Sequence, residues 1–511
     1  MSRRSGRRRE RGPQVAQKPW RLVRNPYPPM EVLSAEQLEV IHDRALAILE
    51  DMGLEVLSDE GLAILKQAGC DLGPVTEEGG RVVRFPRKLV EDLIAKAPNE
   101  IRLHSRNPER DVIVGGNVIN FTTVSGPPNA ADLAGGRRPG NFTDQTNLIK
   151  LAQQLNAITL CASPPVEAQE LPANSRHLDV SRSFATLTDK CWGARAIGRR
   201  RVHDSAEINR LSRGLTEAEQ FDSPGIIANI NVNSPRRVDA EMIGGLMGLV
   251  EKGQPVMITP FTLLGAMSPV TLAGGLVQQH AEAMGLLALV QMVRPGAAMV
   301  YGGFTSNVDM KSGAPVFGSP EYVRAVLAGG QLARRLGLPY RSSNVNASNA
   351  VDAQATYESL MSLWAVVLGH VNVVWHGAGW LEGGLTASFE KMILDAEMIQ
   401  MMTESLRPLK IDDDELGLAA IEEVPPGGHF FGSPHTLARY DTAFYDPIIS
   451  DWRNFESWQE AGAPDATQRA QETTRQLLAG YEQPAMAPER LEAIEAFIAK
   501  RKEEIQEKGL V

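Results

Sequence analysis

Residues 256–302 carry the pattern on which the fold prediction rests. A short apolar run, Val256-Met-Ile-Thr-Pro260, is followed by a long amphipathic segment, Thr271–Met292, and then by a second apolar run, Ala298-Met-Val-Tyr-Gly302. The short runs predict buried strands, and the long segment between them predicts a helix. Because parallel neighbours need a crossover of this length, the pattern indicates a parallel strand–helix–strand unit.

The same alternation extends in both directions along the chain. Eight runs fit buried strands, and a stretch long enough for a crossover helix follows each of them: Val118–Phe121, Ile158–Ala162, Cys191–Ala194, Ile226–Val232, Val256–Pro260, Ala298–Gly302, Pro339–Ser343 and Val371–Trp375. Eight such units that close on themselves form a TIM barrel, so we predict an α/β protein built on a (β/α)8 barrel. An open doubly wound sheet is the alternative. Three Ser-Pro pairs predict helix starts, at Ser234-Pro235, Ser268-Pro269 and Ser319-Pro320.

The flanking sequence divides into three further parts around a barrel at residues 115–400. Residues 30–114 contain three helical patterns, which predict an N-terminal helical cap, and residues 401–511 predict a C-terminal helical region. Residues 1–29 begin with an arginine-rich run that no apolar stretch follows, which predicts a disordered basic tail rather than a signal peptide. Since no uninterrupted apolar run is long enough for a membrane span, we predict no membrane association.

The composition excludes several function classes. The 511 residues contain 52 Lys+Arg and 62 Asp+Glu, and the net charge of −10 disfavours a broad nucleic-acid-binding face. Three cysteines, Cys70, Cys161 and Cys191, are too few for a disulfide framework, and we therefore predict a cytoplasmic protein.

Searches for common catalytic and cofactor motifs are negative. The chain has no phosphate-binding P-loop, no H-E-x-x-H and no G-x-S-x-G, and the glycines of residues 377–383 have the wrong spacing for a dinucleotide fingerprint. Two histidine pairs, His370/His376 and His429/His435, lack acidic or cysteine partners at ligand spacing. We therefore predict no metal site, no directly bound cofactor and no certain catalytic side chain.

Aromatic residues concentrate at the predicted strand ends, where the chemistry of a TIM barrel lies. Aromatics are only 6% of the chain, yet six fall at or near these ends: Phe121, Phe261, Tyr301, Phe304, Trp375 and Trp380. Such a pocket suits a quaternary ammonium group, which aromatic faces attract through cation–π interactions. The alternative is that these rings simply fill the top layer of the barrel.

Two polar segments follow the seventh and eighth predicted strands. In barrels these loops often hold an anionic group, so His376 or His370 would donate a hydrogen bond to a carboxylate. Glu358, Glu390 and Lys391 could equally cap helices or form salt bridges. The candidate substrate-binding residues are His376, His370, Trp380, Trp375, Tyr301, Phe121, Asn346, Gln354, Tyr357, Glu358 and Glu390.

Long motifs in these regions include Val351-Asp-Ala-Gln-Ala-Thr-Tyr-Glu358, Gly379-Trp-Leu-Glu-Gly-Gly-Leu-Thr-Ala-Ser-Phe-Glu-Lys391 and Gly427-Gly-His-Phe430. On these residues the chain resembles the trimethylamine methyltransferase family of corrinoid-dependent enzymes, over roughly residues 30–500. The resemblance implies a TIM barrel that moves a methyl group from a methylated amine to the cobalt of a separate corrinoid protein. The corrinoid would thus be supplied by a partner, and we also expect a homo-oligomer.

Archaeal trimethylamine enzymes of this family carry pyrrolysine, which would be expected after the seventh strand, but residues 339–349 here are all standard. Members without pyrrolysine include glycine betaine methyltransferases, so the resemblance implies a quaternary amine substrate, glycine betaine or a relative. Cobalt(I) would then displace a neutral amine, and no protein acid would be needed. A trimethylamine methyltransferase and an inactive betaine-binding barrel are the alternatives.

Overall fold

The computed structural model describes residues 15–509. Its strands are β1 (Val23–Arg24), β2 (Leu54–Val56), β3 (Asp71–Val75), β4 (Arg81–Arg84), β5 (Glu100–Leu103), β6 (Val112–Gly115), β7 (Val118–Thr123), β8 (Asn129–Asp132), β9 (Gly136–Pro139), β10 (Trp192–Gly193), β11 (Ile226–Ile230), β12 (Arg237–Val238), β13 (Val256–Ile258), β14 (Phe261–Leu264), β15 (Met299–Gly302), β16 (Phe304–Val308), β17 (Pro315–Val316), β18 (Tyr340–Ser343), β19 (Val373–Ala378), β20 (Trp380–Leu381) and β21 (Thr386–Ser388).

Its α-helices are α1 (Ala35–Ala47), α2 (Asp59–Gln67), α3 (Arg87–Ile94), α4 (Phe142–Gln154), α5 (Arg176–Leu187), α6 (Arg199–Arg213), α7 (Glu217–Asp222), α8 (Ala240–Glu251), α9 (Leu272–Val293), α10 (Pro320–Arg335), α11 (Ala353–Leu368), α12 (Phe389–Ser405), α13 (Asp413–Leu416), α14 (Leu418–Glu423), α15 (Pro434–Leu437), α16 (Phe455–Glu460), α17 (Ala466–Ala479) and α18 (Pro488–Lys508).

Seven parallel strands form the central sheet in the order β7-β19-β18-β15-β13-β11-β10, and β1 adds antiparallel to β7. Each of the seven overlaps a predicted strand. The remaining predicted strand, at residues 158–162, forms only isolated parallel bridges, Thr122 to Leu160 and Cys161 to Trp192. The sheet is therefore curled into a TIM-like arrangement whose hydrogen-bonded ladder is interrupted between β7 and β10.

Alternation along the central strands sorts their side chains into an inner and an outer set. The inner set packs with the β5–β6 hairpin into one apolar cluster, which contains Ile101, Leu103, Val112, Val114, Leu160, Ala162, Cys191, Ile227, Met257, Val300, Val373 and Trp375. The outer set, such as Phe121 and Tyr301, belongs to the larger core shared with the surrounding helices. The hairpin thus seals the end of the sheet at which the strands begin.

The N-terminal region is less helical than predicted. Helices α1, α2 and α3 account for the three helical patterns predicted within residues 30–114, and they pack on α9 or its neighbours. However, residues 30–114 also contain β2–β6, and β2, β3 and β4 form a small sheet with β12. The prediction of a purely helical cap misses these strands, because runs as short as Leu54-Glu-Val56 carry too little periodicity to identify a strand.

Residues 15–29, which we predicted to belong to a disordered tail, instead run along the sheet. Val23 and Arg24 pair with Ile119 and Val118, and the buried Asn25 donates a hydrogen bond to the carbonyl of Val367 at 2.9 Å. The arginine run itself falls in residues 1–14, outside the described residues.

One of the three predicted Ser-Pro helix starts is confirmed. Ser319 caps α10, where its hydroxyl accepts the N–H of Tyr322. The other two are wrong, because α8 begins at Ala240 behind the cap Asp239, and α9 begins at Leu272, behind Thr271. Beyond the barrel, α17 packs on α12 and α4, and α18 packs on α6. None of the helices within residues 15–509 has the length and apolar character that crossing a membrane requires.

Candidate functional site

A cavity of about 390 Å³ lies at the ends of the central strands opposite the sealing hairpin. Its lining includes the charged side chains of Arg341, Arg195 and Glu167 together with polar and aromatic groups. Because ligands of α/β sheets bind beyond the carboxyl ends of the strands, this cavity is the candidate functional site.

Arg341 is the most unusual residue of the cavity. It lies in β18, where Arg341 and Ser343 face inward and Ser342 contacts the outer Tyr322 hydroxyl. The side chain is only 2% exposed, and neither Nε nor Nη1 has a hydrogen-bond partner among residues 15–509. Burial lowers the pKa of the guanidinium to about 10, so it is still a cation at neutral pH. An unpaired buried cation is costly, which indicates that a ligand supplies the missing partner.

His376 adjoins Arg341 because strand β19 departs from regular geometry. The register between β19 and β7 shifts between Val374 and Ala378, and His376 has a φ of 60°, so the consecutive residues Trp375 and His376 both line the cavity. The Nδ1 of His376 lies 3.2 Å from the Ser343 hydroxyl. Burial, and secondarily the charge of Arg341, hold the pKa of His376 well below its usual value. The imidazole is therefore neutral at pH 7.

Polar groups complete the opposite wall. Glu167 forms ion pairs with Arg195 and with Arg176. Two buried oxygens, Oδ1 of Asn229 and Oγ1 of Thr259, have no hydrogen-bond partner within residues 15–509. The cavity therefore offers one uncompensated cation together with unused hydrogen-bonding capacity.

The aromatic part of the lining comes from Phe261, Phe304 and Trp375. The rings of Phe261 and Phe304 lie 5.0 Å apart, and the Arg341 guanidinium lies 5.5 Å from the centre of the Phe304 ring. Aromatic faces of this kind can contact a cationic methylated nitrogen.

Of the sequence-predicted site residues, the structure brings Trp375 and His376 together at the cavity. Trp380 and Asn346 lie one layer behind them. The Trp380 ring is 4.4 Å from that of His376, and its Nε1 donates to the Asn346 carbonyl at 3.0 Å, which fixes the ring behind the histidine. These two residues support the wall of the cavity and do not line it.

Tyr301 and Phe121 lie outside the cavity, and their predicted placement is wrong. Each is next along its strand to a residue whose side chain faces the inside of the sheet, so its own side chain points toward the surrounding helices. The Tyr301 hydroxyl, for example, lies 3.1 Å from Nδ1 of His280. His370 lies at the start of β19 rather than at its end, where its Nε2 is 2.9 Å from the Tyr27 carbonyl. A spacing of six along a strand places His370 and His376 at opposite ends of the sheet.

The acidic and polar candidates from the last two loops have local structural contacts. Glu358 accepts the backbone N–H groups of Ala347 and Ser348, and Gln354 donates to Glu358 at 2.9 Å. Glu390 accepts the N–H of Leu133 at 3.0 Å, and burial raises its pKa. Tyr357 is 57% exposed on the outer face of α11. None of these four residues belongs to the cavity lining.

Sequence reasoning missed Arg341, although a signal was present. An arginine in the middle of a predicted buried strand is rare unless its charge is used. Phe261 and Phe304 fall at predicted strand ends but are not among the candidate substrate-binding residues, while the sequence around Glu167 and Asn229 has no distinctive pattern. Within residues 15–509, no group of three or more His, Cys, Asp or Glu side chains is placed to hold a metal ion.

A family model and two relatives found by sequence point to one family. The model of the trimethylamine methyltransferase (MTTB) family matches residues 1–506. A glycine betaine methyltransferase of Desulfitobacterium hafniense (strain Y51) is 37% identical over 84% of this chain and 89% of its own length. A trimethylamine methyltransferase MttB of the DSM 10664 / DCB-2 strain is 28% identical over 81% of this chain and 83% of its own. Among solved structures, the monomethylamine methyltransferase of Methanosarcina barkeri is similar, with a TM-score of 0.48, 8% identity, and coverage of 88% of this chain and 98% of that one.

Proposed function

The chain is a methyltransferase of the trimethylamine methyltransferase family, and we propose that it takes a methyl group from glycine betaine, or from a betaine of similar size. We further propose that the acceptor is the cobalt(I) of a corrinoid carried by a separate protein. The N–CH₃ bond breaks, its electron pair stays on nitrogen, and the methyl carbon bonds to cobalt, so a neutral tertiary amine leaves.

The observation that carries this proposal is the buried guanidinium of Arg341, whose Nε and Nη1 have no hydrogen-bond partner within residues 15–509. A betaine differs from a simple methylated amine by its carboxylate, and a carboxylate is the group that an arginine binds best, through paired charge-assisted hydrogen bonds. Arg341 lines the cavity, and no group within residues 15–509 uses its Nε and Nη1, so the guanidinium keeps hydrogen bonds to donate to such a carboxylate. Trimethylamine has no anionic group, and it would leave this buried cation uncompensated.

The other cavity residues suit the methylated end of a betaine. Phe261, Phe304 and Trp375 provide aromatic faces for the quaternary nitrogen. His376 is neutral, so it adds no repulsion toward that nitrogen. Because the quaternary nitrogen is already positive, it leaves as a neutral amine without being protonated. The work of the cavity is therefore to orient the substrate and to exclude water.

The three cysteines are free and buried, which suits a reducing compartment, and we assign the protein to the cytoplasm. This assignment also fits the proposed cobalt(I) acceptor, which oxidants would destroy.

Single-turnover methylation of a cobalt(I) corrinoid protein, followed by absorbance, tests the proposal. Glycine betaine is compared with choline, which has the same quaternary head group but no carboxylate, and with trimethylamine. We expect methyl transfer from glycine betaine, with a second-order rate constant for the single turnover at least about 100-fold higher than for choline. Equal or faster transfer from trimethylamine or choline would refute the proposal. Binding of glycine betaine without transfer to any cognate corrinoid protein would instead support an inactive binding barrel.

A further inference from the structure

Residues 408–444, here called the arm, leave the end of α12 and contain α13, α14 and α15. Ten large apolar side chains of the arm are at least 45% exposed, and Leu409, Phe431 and Phe444 are more than 80% exposed. With about 200 Å² for each fully exposed side chain, these residues present roughly 1,300 Å² of surface. Summed over the arm, this area exceeds the 300–600 Å² that is typical of the largest single apolar patch on an ordinary monomer, although the ten side chains are spread over 37 residues.

The polar contacts of the arm do not attach it to the rest of the chain. Within residues 15–509, the hydrogen bonds and ion pairs of the arm have both partners inside it, such as Arg439 with Asp414 and His435 with the Asp414 carbonyl. None of its residues belongs to the main hydrophobic core. The next residue, Tyr445, is anchored again, since its hydroxyl donates to Glu397 at 3.0 Å. Among the described residues, the arm therefore makes polar contacts only with itself, between the end of α12 and the anchored Tyr445.

A second exposed apolar surface lies on α11. Tyr357, Leu360, Met361, Trp364 and Leu368 follow the spacing of one helical face, and each is at least 36% exposed. The opposite face of α11 packs on β18, α10 and α12. This stripe, here called the α11 face, thus lies on the outer side of the barrel, and its side chains stay 36–57% exposed among the described residues.

We propose that two copies of this chain form a dimer in which the arm of each copy covers the α11 face of the other. Each copy carries both an apolar donor segment and an apolar acceptor face, which is what a two-fold, self-complementary interface requires. By the same arithmetic, the five side chains of the α11 face expose roughly 440 Å², so an α11 face and the matching part of an arm together bury about 880 Å² on each partner, close to the ~800 Å² of a stable interface. A corrinoid protein is the less suitable occupant, because it must reach the cavity at the strand ends and not the side of the barrel.

Sedimentation velocity of the full-length protein gives the first test. We expect a species of twice the chain mass of 55.6 kDa at micromolar concentration. The variant Phe431→Asp should weaken the dimer at least about 30-fold in Kd, and Trp364→Asp should do the same. Val75→Asp is the matched control, since Val75 is 60% exposed on the distant strand β3, and its dimer should be unchanged. A wild-type monomer, or a dimer that both variants leave intact, would overturn the proposal.

A mixing experiment tests the exchange itself. A dimer of one Phe431→Asp chain and one Trp364→Asp chain retains one unaltered arm on one unaltered α11 face, whereas each variant alone damages both contacts. We therefore expect the mixture to regain dimer that neither variant forms alone. In addition, p-benzoylphenylalanine in place of Phe431 should cross-link to α11 of a second chain. Failure of the mixture to regain dimer, or a cross-link to the same chain or to another surface, contradicts arm exchange.

Discussion

Two buried cations lie in the central sheet region, and their surroundings differ completely. Lys190, just before β10, is 2% exposed, and its Nζ donates to the carbonyls of Ala152, Leu155 and Ile158 at 2.6, 2.9 and 2.6 Å. Arg341, within β18, is also 2% exposed, but its Nε and Nη1 have no partner in residues 15–509. An ammonium group has three donors, so Lys190 is saturated while Arg341 is not.

Donor saturation separates a structural cation from a ligand-binding one. Lys190 ties three backbone carbonyls together and faces no cavity, so its contacts stabilise the fold, although burial lowers its pKa to about 7. Under the proposed function, Arg341 costs folding free energy in the empty protein and would recover it on binding the carboxylate of the substrate. Burial alone therefore does not identify a functional charge; the unused hydrogen bonds do.

The largest effect is expected for Arg341→Met. Removing the guanidinium should lower kcat/KM for glycine betaine about 1,000-fold, because two charge-assisted hydrogen bonds of about 2 kcal/mol each are lost. The melting temperature should stay the same or rise, since an unpaired buried charge is removed. Steady-state kinetics and calorimetry measure the two effects. Arg341→Lys keeps the charge but loses the paired geometry, so its kcat/KM should lie between those of the wild type and of Arg341→Met. A strong loss of stability with unchanged kcat/KM would show that Arg341 is structural.

Lys190→Met should show the reverse pattern. Three buried carbonyls lose their donor, which should lower the free energy of unfolding by about 3 kcal/mol. Activity per folded molecule should remain near that of the wild type. Denaturant unfolding, together with activity normalised to the folded fraction, checks both. If Lys190→Met lost activity but kept its stability, Lys190 would not be the structural cation that this contrast requires.

Gly193→Ala tests the contact between the strand that follows Lys190 and the lining of the cavity. A Cβ at this position would lie 2.6 Å from the Trp375 ring and 2.8 Å from the Ser163 backbone nitrogen. The overpacking should cost about 2 kcal/mol of stability and raise KM for glycine betaine, because Trp375 is displaced. Gly432→Ala is the control, since its Cβ would meet nothing within 4 Å. If Gly193→Ala changed neither the stability nor the KM, Trp375 would be able to move aside at little cost.

The smallest effect concerns pH. The folded-state pKa of His376 lies well below its unfolded value near 6.5, so the unfolded chain binds the proton first as pH falls. Stability is therefore expected to decrease below about pH 6.5, by at most about 1.4 kcal/mol per pH unit for this one residue. His376→Asn should flatten the dependence between pH 6.5 and 5, and Arg341→Met should flatten it in part by removing a nearby positive charge. An unchanged slope in His376→Asn would assign the dependence to other groups, such as His280.

The elements of the fold followed from the sequence more closely than the site did. Val256–Pro260, Thr271–Met292 and Ala298–Gly302 predicted β13, α9 and β15 because each run has a clear period and length. Tyr301 was chosen for the site because it ends a strand, yet it points outward, since its neighbour Val300 occupies the inner face. Neighbouring residues of a strand point to opposite faces of the sheet, and the composition of the strand does not show which of the two points inward.

By itself, the sequence determined the order of the central strands and of the helices that connect them, the membership of the methyltransferase family and the aromatic, polar character of the strand ends. These properties depend on local periodicity and on motifs that are continuous along the chain. Only the tertiary structure decided that the Nε and Nη1 of Arg341 have no hydrogen-bond partner within residues 15–509, that His376 turns into the cavity at a φ of 60°, and that the β5–β6 hairpin closes the other end. Each of these depends on which distant residues meet across the sheet, and that is set by register and packing rather than by any single segment.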